Sequence, residues 1–161
     1  MSDLIKVGMA DYKVGRAPAG IISYGLGSCV GIALYDEKTQ IGGLAHIMLP
    51  YSTQARSAEN PAKFADTALP LMLEEMIKLG ALKSRIRAKI AGGAQMFTFS
   101  NATEIMRVGE RNVEATKTVL KSLDIPLTAE DVGGNYGRTV ELKLSGGAFR
   151  IKTIDRGEKE L

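Results

Sequence analysis

Residues 23–50 read SYGLGSCVGIALYDEKTQIGGLAHIMLP. Within this stretch, residues 30–35 and 41–49 are apolar runs on either side of the polar Asp36-Glu37-Lys38-Thr39, the pattern of a β-hairpin. The chain's single cysteine, Cys29, and its single histidine, His46, both fall here. With Glu37-Lys38 as the two central turn residues, Asp36 pairs with Thr39 and Cys29 stands directly opposite His46. Opposed residues have Cβ atoms about 4.5–5.5 Å apart, near enough for an imidazole to reach a thiol. A slip of one residue would turn His46 to the other face. In the expected register one face carries Val30, Ile32, Leu34 and Ala45. The other carries Cys29, Gly31, Ala33, Gly42, Leu44 and His46, where small residues leave room for a substrate or for a closely packed element.

Working outward, residues 4–8 and 12–16 are short strand candidates separated by turn signals, and Ile21 and Ile22 lead into the Gly25/Gly27 turn. Residues 51–60 are polar. Asn60-Pro61 has the form of an N-cap followed by a first helical position. Phe64, Ala68, Met72, Met76 and Leu79 then recur at helical spacing until Gly80, with Pro70 expected to kink the helix or free a carbonyl. Residues 85–91 alternate as a strand, 94–108 fit either strand or loop, and 110–123 have the period of a second helix. Residues 126–132 read as a strand, and 139–144 and 148–154 flank Ser145-Gly146-Gly147 as a second hairpin. The expected fold class is α+β, richer in strands than in helices, in a single domain spanning 1–161.

Composition narrows the function classes. The chain has 161 residues, long enough for one well-cored domain. Its 45% apolar and 24% charged content is that of a soluble globular protein. Lys plus Arg number 21 against 18 Asp plus Glu, and this small, scattered excess of +3 does not by itself argue for nucleic-acid binding. No apolar run reaches a membrane-spanning length and no leader pattern is visible, so the expected compartment is the cytosol, with no membrane insertion. One cysteine cannot form an internal disulfide, and one Cys with one His cannot complete a zinc site of the usual type. No metal or cofactor is expected.

A Cys–His pair carries specific chemistry. A free thiol titrates near about 8.5, and only its thiolate is a strong nucleophile. A neighbouring imidazole can remove the proton and later return it to a leaving amine. Ser23, on the preceding strand, offers a hydroxyl to orient the imidazole, and the Gly27-Ser28-Cys29 turn offers backbone N–H groups to an oxyanion. The plainer reading is a buried small hydrophobe and a structural histidine. The glycines of GLGSCVG imitate a dinucleotide loop, but a strand follows where that motif needs a helix.

Three further features have two readings each. Lys83, Arg85, Arg87 and Lys89 alternate, either as a patch that steers an acidic partner or as a solvated edge that discourages strand pairing. Phe97 and Phe99 are either docking anchors or core. Gly133-Gly134 with Arg138 either line a cleft or form a turn beside a solvated arginine.

Six blocks, YGLGSCVGIALYD, GGLAHIMLP, KFADTALPLM, AKIAGGAQMF, GERNVEA and AEDVGGNYGRTVEL, in this order and spacing, resemble the chemoreceptor glutamine deamidase family, CheD. The resemblance runs from about residue 5 to 155 and implies hydrolysis of glutamine side chains in methyl-accepting chemotaxis receptors. It places the nucleophile on Cys29 and the base on His46. Ser23 stands where the family usually has threonine, and Tyr24 where it usually has leucine. The family fold is a layered α/β sandwich with mixed sheets, similar to bacterial toxin glutamine deamidases and cysteine hydrolase-like. Members also bind the chemotaxis phosphatase CheC, which competes with receptors for the deamidase.

Overall fold

The computed structural model describes residues 3–52, 60–95 and 107–161. Along the chain run β1 (Leu4–Lys6), β2 (Asp11–Arg16), β3 (Gly20–Leu26), β4 (Val30–Asp36), β5 (Ile41–Ile47), α1 (Ala65–Leu79), β6 (Ile86–Gly92), α2 (Val108–Ser122), β7 (Leu127–Val132), β8 (Arg138–Lys143), β9 (Phe149–Lys152) and β10 (Glu158–Glu160). Among the described residues, ten strands form two five-stranded mixed sheets, ordered β1-β3-β8-β9-β10 and β2-β5-β4-β6-β7. The parallel pairs are β1 with β3 and β6 with β7. The expected α+β class with mixed sheets is what the chain adopts. Strand β10 has no apolar alternation and left no mark in the sequence.

Alternation along β4, β5 and β6 builds the layers. Val30, Ile32, Leu34, Ala45, Ile47, Ala88 and Ile90 pack with α1 and α2 in one core. Cys29, Ala33, Leu44 and Ala91 face the other way, into a second core against Ile21, Leu26, Val140, Leu142, Phe149 and Ile151 of the first sheet. The order is therefore sheet, sheet, helices. Glycine makes the sheet–sheet approach possible, because a Cβ at Gly42 would sit 2.7 Å from Leu144 Cδ2.

The hairpin register differs from the two-residue turn expected above. Asp36 pairs with Ile41 and Val30 with Ile47, so residues 37–40 form the loop. Glu37-Lys38 would need positive φ at both central positions of a type I′ turn, which neither residue favours. Instead Asp36 Oδ1 accepts from the N–H groups of Lys38 and Thr39, and Gln40 takes the left-handed conformation at φ 57°. The displacement is two residues, so the strand period preserves the face assignment. His46 stands opposite Gly31, not Cys29.

Helix α1 keeps most of its predicted face: Ala68, Met72 and Met76 are fully buried, but Leu79, in its last turn, is exposed. Asn60 caps a short 3-10 turn at Pro61–Lys63, and α1 begins at Ala65. Pro70 is accommodated inside α1 on its exposed side, and Gly80 ends the helix at φ 121°. The basic stripe is not an edge, because β6 lies between β4 and β7. Arg85 instead makes a two-pronged bond to the buried Asp36, with both contacts at 2.9 Å. Lys89 Nζ donates to the carbonyls of Gly147 and Leu161. No helix among the described residues is long and apolar enough to cross a membrane.

Candidate active site

The site lies where the two sheets meet at the Cys29 end of β4. In β3, the pairing with β8 runs Ser23 to Val140 and then Leu26 to Arg138, so one extra residue is accommodated between them. Gly25, at φ 69°, makes this bulge possible. Its consequence is that Ser23 and Leu26 both point inward, while Tyr24 is 54% exposed. The substitution at Tyr24 therefore points away from the site.

Ser23 Oγ lies 2.7 Å from the Val7 carbonyl and 2.8 Å from His46 Nδ1. A carbonyl can only accept, so the single hydroxyl proton goes to Val7. The same oxygen must then accept from His46, which places the ring proton on Nδ1 and leaves Nε2 with a free lone pair. Nε2 is buried and has no hydrogen-bond partner among the described residues. His46 is held from its backbone as well, since its carbonyl accepts from Ala10 N–H at 3.0 Å.

Cys29 immediately precedes β4 and shares the inter-sheet face with His46. In the observed register the two are diagonal neighbours rather than opposed residues, and among the described residues no hydrogen bond joins them. The space beside Gly31 is filled by Leu26 and Val140, so the small residues serve close sheet packing rather than a roomy pocket. Cys29 is 8% exposed and His46 only 1%. Burial pushes the Cys29 thiol up and His46 down to about 4, so both are neutral at neutral pH.

Three outside donors hold the carbonyls of the Gly27-Ser28-Cys29 turn. Ala94 N–H binds Gly27 O at 2.9 Å, Asn112 Nδ2 binds Ser28 O at 3.0 Å, and Gly93 N–H binds Cys29 O at 2.8 Å. Gly92 must be glycine here: it adopts φ 113°, and a Cβ would lie 2.3 Å from Cys29 O. Among the described residues, no carbonyl accepts from the N–H groups of Ser28 or Cys29, and the Cys29 N–H lies against its own thiol.

Of the residues singled out from sequence, Ser23 and His46 are hydrogen-bonded to each other, while Cys29 lies on the same inter-sheet face with Gly27 and Ser28 in the turn before it. Phe97 and Phe99 lie outside the described residues. Arg138 is not a solvated turn residue. It is 2% exposed, 3.2 Å from Asp131 Oδ2 and stacked on Tyr136, with Nη1 reaching toward Gly92 O. Sequence reasoning missed Asn112, which is fully buried. Its signal was a polar residue on the apolar face of α2, four residues before Thr116 and eight before Leu120. A cavity of about 690 Å³, lined by Tyr35, Arg85, Arg87, Lys89 and Gly147 among others, touches neither Cys29 nor His46. Among the described residues no three His, Cys, Asp or Glu side chains gather as a metal would require.

Comparison with known proteins gives the site a context. The family profile described as CheD chemotactic sensory transduction matches residues 48–153. A "probable chemoreceptor glutamine deamidase CheD" from Clostridium botulinum (strain Hall) is 56% identical, covering 98% of this chain and 97% of its own. A protein of the same description from Caldanaerobacter subterraneus is 52% identical, with 98% of each chain covered. Two solved structures share the fold. The Neisseria meningitidis protein NMB0706, of the DUF152 family, has a TM-score of 0.54 at 8% identity, covering 84% of this chain and 65% of its own. The hypothetical protein YfiH of Bacillus licheniformis has a TM-score of 0.50 at 15% identity, covering 75% of this chain and 49% of its own.

Proposed function

This chain belongs to the CheD family of chemotactic sensory transduction proteins, and on that footing we propose that it hydrolyses selected glutamine side-chain amides of methyl-accepting chemoreceptors to glutamate and ammonia. In this reading Cys29 is the nucleophile, His46 the base, and Ser23 the residue that orients His46. The observation that carries it is the hydrogen bond between Ser23 and His46 Nδ1 at 2.8 Å, which leaves Nε2 as a free base on the face that holds the chain's one thiol.

Because both groups rest neutral, the proton leaves Sγ for Nε2 as Sγ attacks the amide Cδ. The N–H groups of Ser28 and Cys29 receive the developing oxyanion, with Gly27 allowing the turn. As the C–N bond breaks, Nε2–H protonates the departing nitrogen and ammonia leaves. Water then attacks the thioester carbonyl and passes a proton to Nε2. Collapse releases glutamate, and the proton returns to Sγ. No step calls on a metal or cofactor.

The proposal extends to residues 1–161 as one deamidase unit working in the cytosol. It also includes the phosphatase CheC as a second partner, with Phe97 and Phe99 as the candidate contact for CheC or for the receptor. In a test with a receptor fragment, Cys29→Ala should release no ammonia while still binding the fragment. Undiminished ammonia release by that variant would remove Cys29 from the reaction. A wild-type protein that binds receptor but releases no ammonia would instead be a regulatory binding protein.

A further inference from the structure

We infer that Asn112 is a positioning residue for the oxyanion site, aiming the Cys29 N–H by holding the Ser28 carbonyl; the inference rests on the reaction proposed above. Ser28 C=O and Cys29 N–H belong to one planar trans peptide and point in opposite directions. Fixing the oxygen therefore fixes the N–H. Asn112 Nδ2 holds Ser28 O at 3.0 Å and Met48 O at 2.9 Å, using both of its protons. The contact falls where it is most needed. The β4–β5 ladder ends at Val30 and Ile47, and the next opposed pair would be Cys29 and Met48. There β5 turns away, its Met48 N–H bonding Lys63 O instead. A single amide nitrogen thus bridges the nucleophile turn and the strand that carries His46.

Two details separate this role from ordinary core packing. Asn112 is fully buried, yet its Oδ1 has no hydrogen-bond partner among the described residues. An orphaned buried acceptor costs free energy, and the fold tolerates it in order to place the two donors. Helix α2 is also seated unusually close to the site. A Cβ at Gly109 would lie 2.4 Å from Ala94 O and 2.6 Å from Gly93 O, beside the residues that hold the Gly27 and Cys29 carbonyls. The same helix end therefore supports all three turn carbonyls, and Asn112 is the side chain through which it does so directly.

The distinguishing experiment compares two reactions of the same thiol. Alkylation of Cys29 by iodoacetamide needs the nucleophile and its base but develops no oxyanion, whereas deamidation develops one. In Asn112→Ala and in the isosteric Asn112→Asp, kcat for ammonia release should fall roughly a hundredfold, the scale of losing one oxyanion donor. KM should hold and the iodoacetamide rate should stay within about threefold of wild type, since neither depends on that donor. Equal falls in alkylation and deamidation, or no fall in either, would overturn the inference. Failure of both variants to fold would also overturn it and make Asn112 a core residue. An inactive wild type would instead defeat the underlying reaction, so the two failures are separable.

Discussion

Replacing Ser23 by alanine removes one oxygen and two hydrogen bonds, both buried. Val7 O loses its donor at 2.7 Å and His46 Nδ1–H loses its acceptor at 2.8 Å. Each orphaned group costs about 1–3 kcal/mol, so the variant should lose roughly 2–6 kcal/mol of stability. The kinetic effect has a different origin. Without an acceptor at Nδ1, the ring has no reason to keep its proton there, and the Nε2–H tautomer, useless as a base, competes. Loss of a positioned base is worth about 10²–10⁴ in rate, and a tautomer mixture with a loosened ring should fall near the lower end. Ser23→Thr restores the hydroxyl and should give kcat within about threefold of wild type, since only a methyl is added. Urea unfolding reads the first effect and ammonia release from a receptor fragment reads the second, at enzyme concentrations corrected for the folded fraction. If Ser23→Ala keeps wild-type kcat, or if Ala and Thr variants are equally slow, the reasoning that ties the hydroxyl to the tautomer is refuted.

Two other perturbations test the same physics elsewhere. The folded-state value of His46, about 4, lies below its ordinary 6.5, so the unfolded chain binds the extra proton. The stabilisation is complete above about pH 6.5 and is lost as pH falls toward 4, by roughly 3 kcal/mol in total. Urea midpoints across that interval should show it, and His46→Asn should flatten the slope by that amount; matching slopes would mean His46 is not the group responsible. At the far end of β4, burial alone would raise the Asp36 carboxyl, but Arg85 and the N–H groups of Leu82, Lys38 and Thr39 outweigh it and hold it well below the usual range. Asp36→Asn should cost about 2–3 kcal/mol, less than a fully buried pair, because Arg85 is 32% exposed. Activity per folded molecule should be unchanged, and an activity loss exceeding the loss of folded protein would show that the turn communicates with the site.

The parts of the fold that follow from local pattern were legible. Apolar runs marked β4 and β5, alternation marked β6, the Ser145-Gly146-Gly147 turn marked the β8–β9 hairpin, and helical spacing marked α1 and α2. Alternation also separated the two faces of the hairpin correctly, because faces survive any even displacement. The exact register was not legible. It depends on how Asp36 spends its carboxylate, and that is settled by Arg85, 49 residues away. The edge reading of residues 83–89 failed for a related reason. Alternating charge describes a solvent-facing side, but the partner across β6 is β7, whose position only the parallel crossover through α2 sets. Tyr24 gave no sign of pointing outward, since the bulge at Gly25 is defined by its pairing with β8.

For the site, the sequence by itself fixed the candidates: one thiol, one imidazole, and a hydroxyl and turn glycines nearby in the chain. Only the tertiary structure decided their relation. Ser23 and His46 belong to different sheets, so their hydrogen bond exists because the sheets stack, and the direction of its proton is set by a third element carrying Val7. The carbonyls of the Cys29 turn are held from the loop after β6 and from α2, distant in sequence. Residue type is a local property and can be read from a string, whereas a tautomer, a buried charge state and the aim of an N–H depend on neighbours brought in from elsewhere by folding.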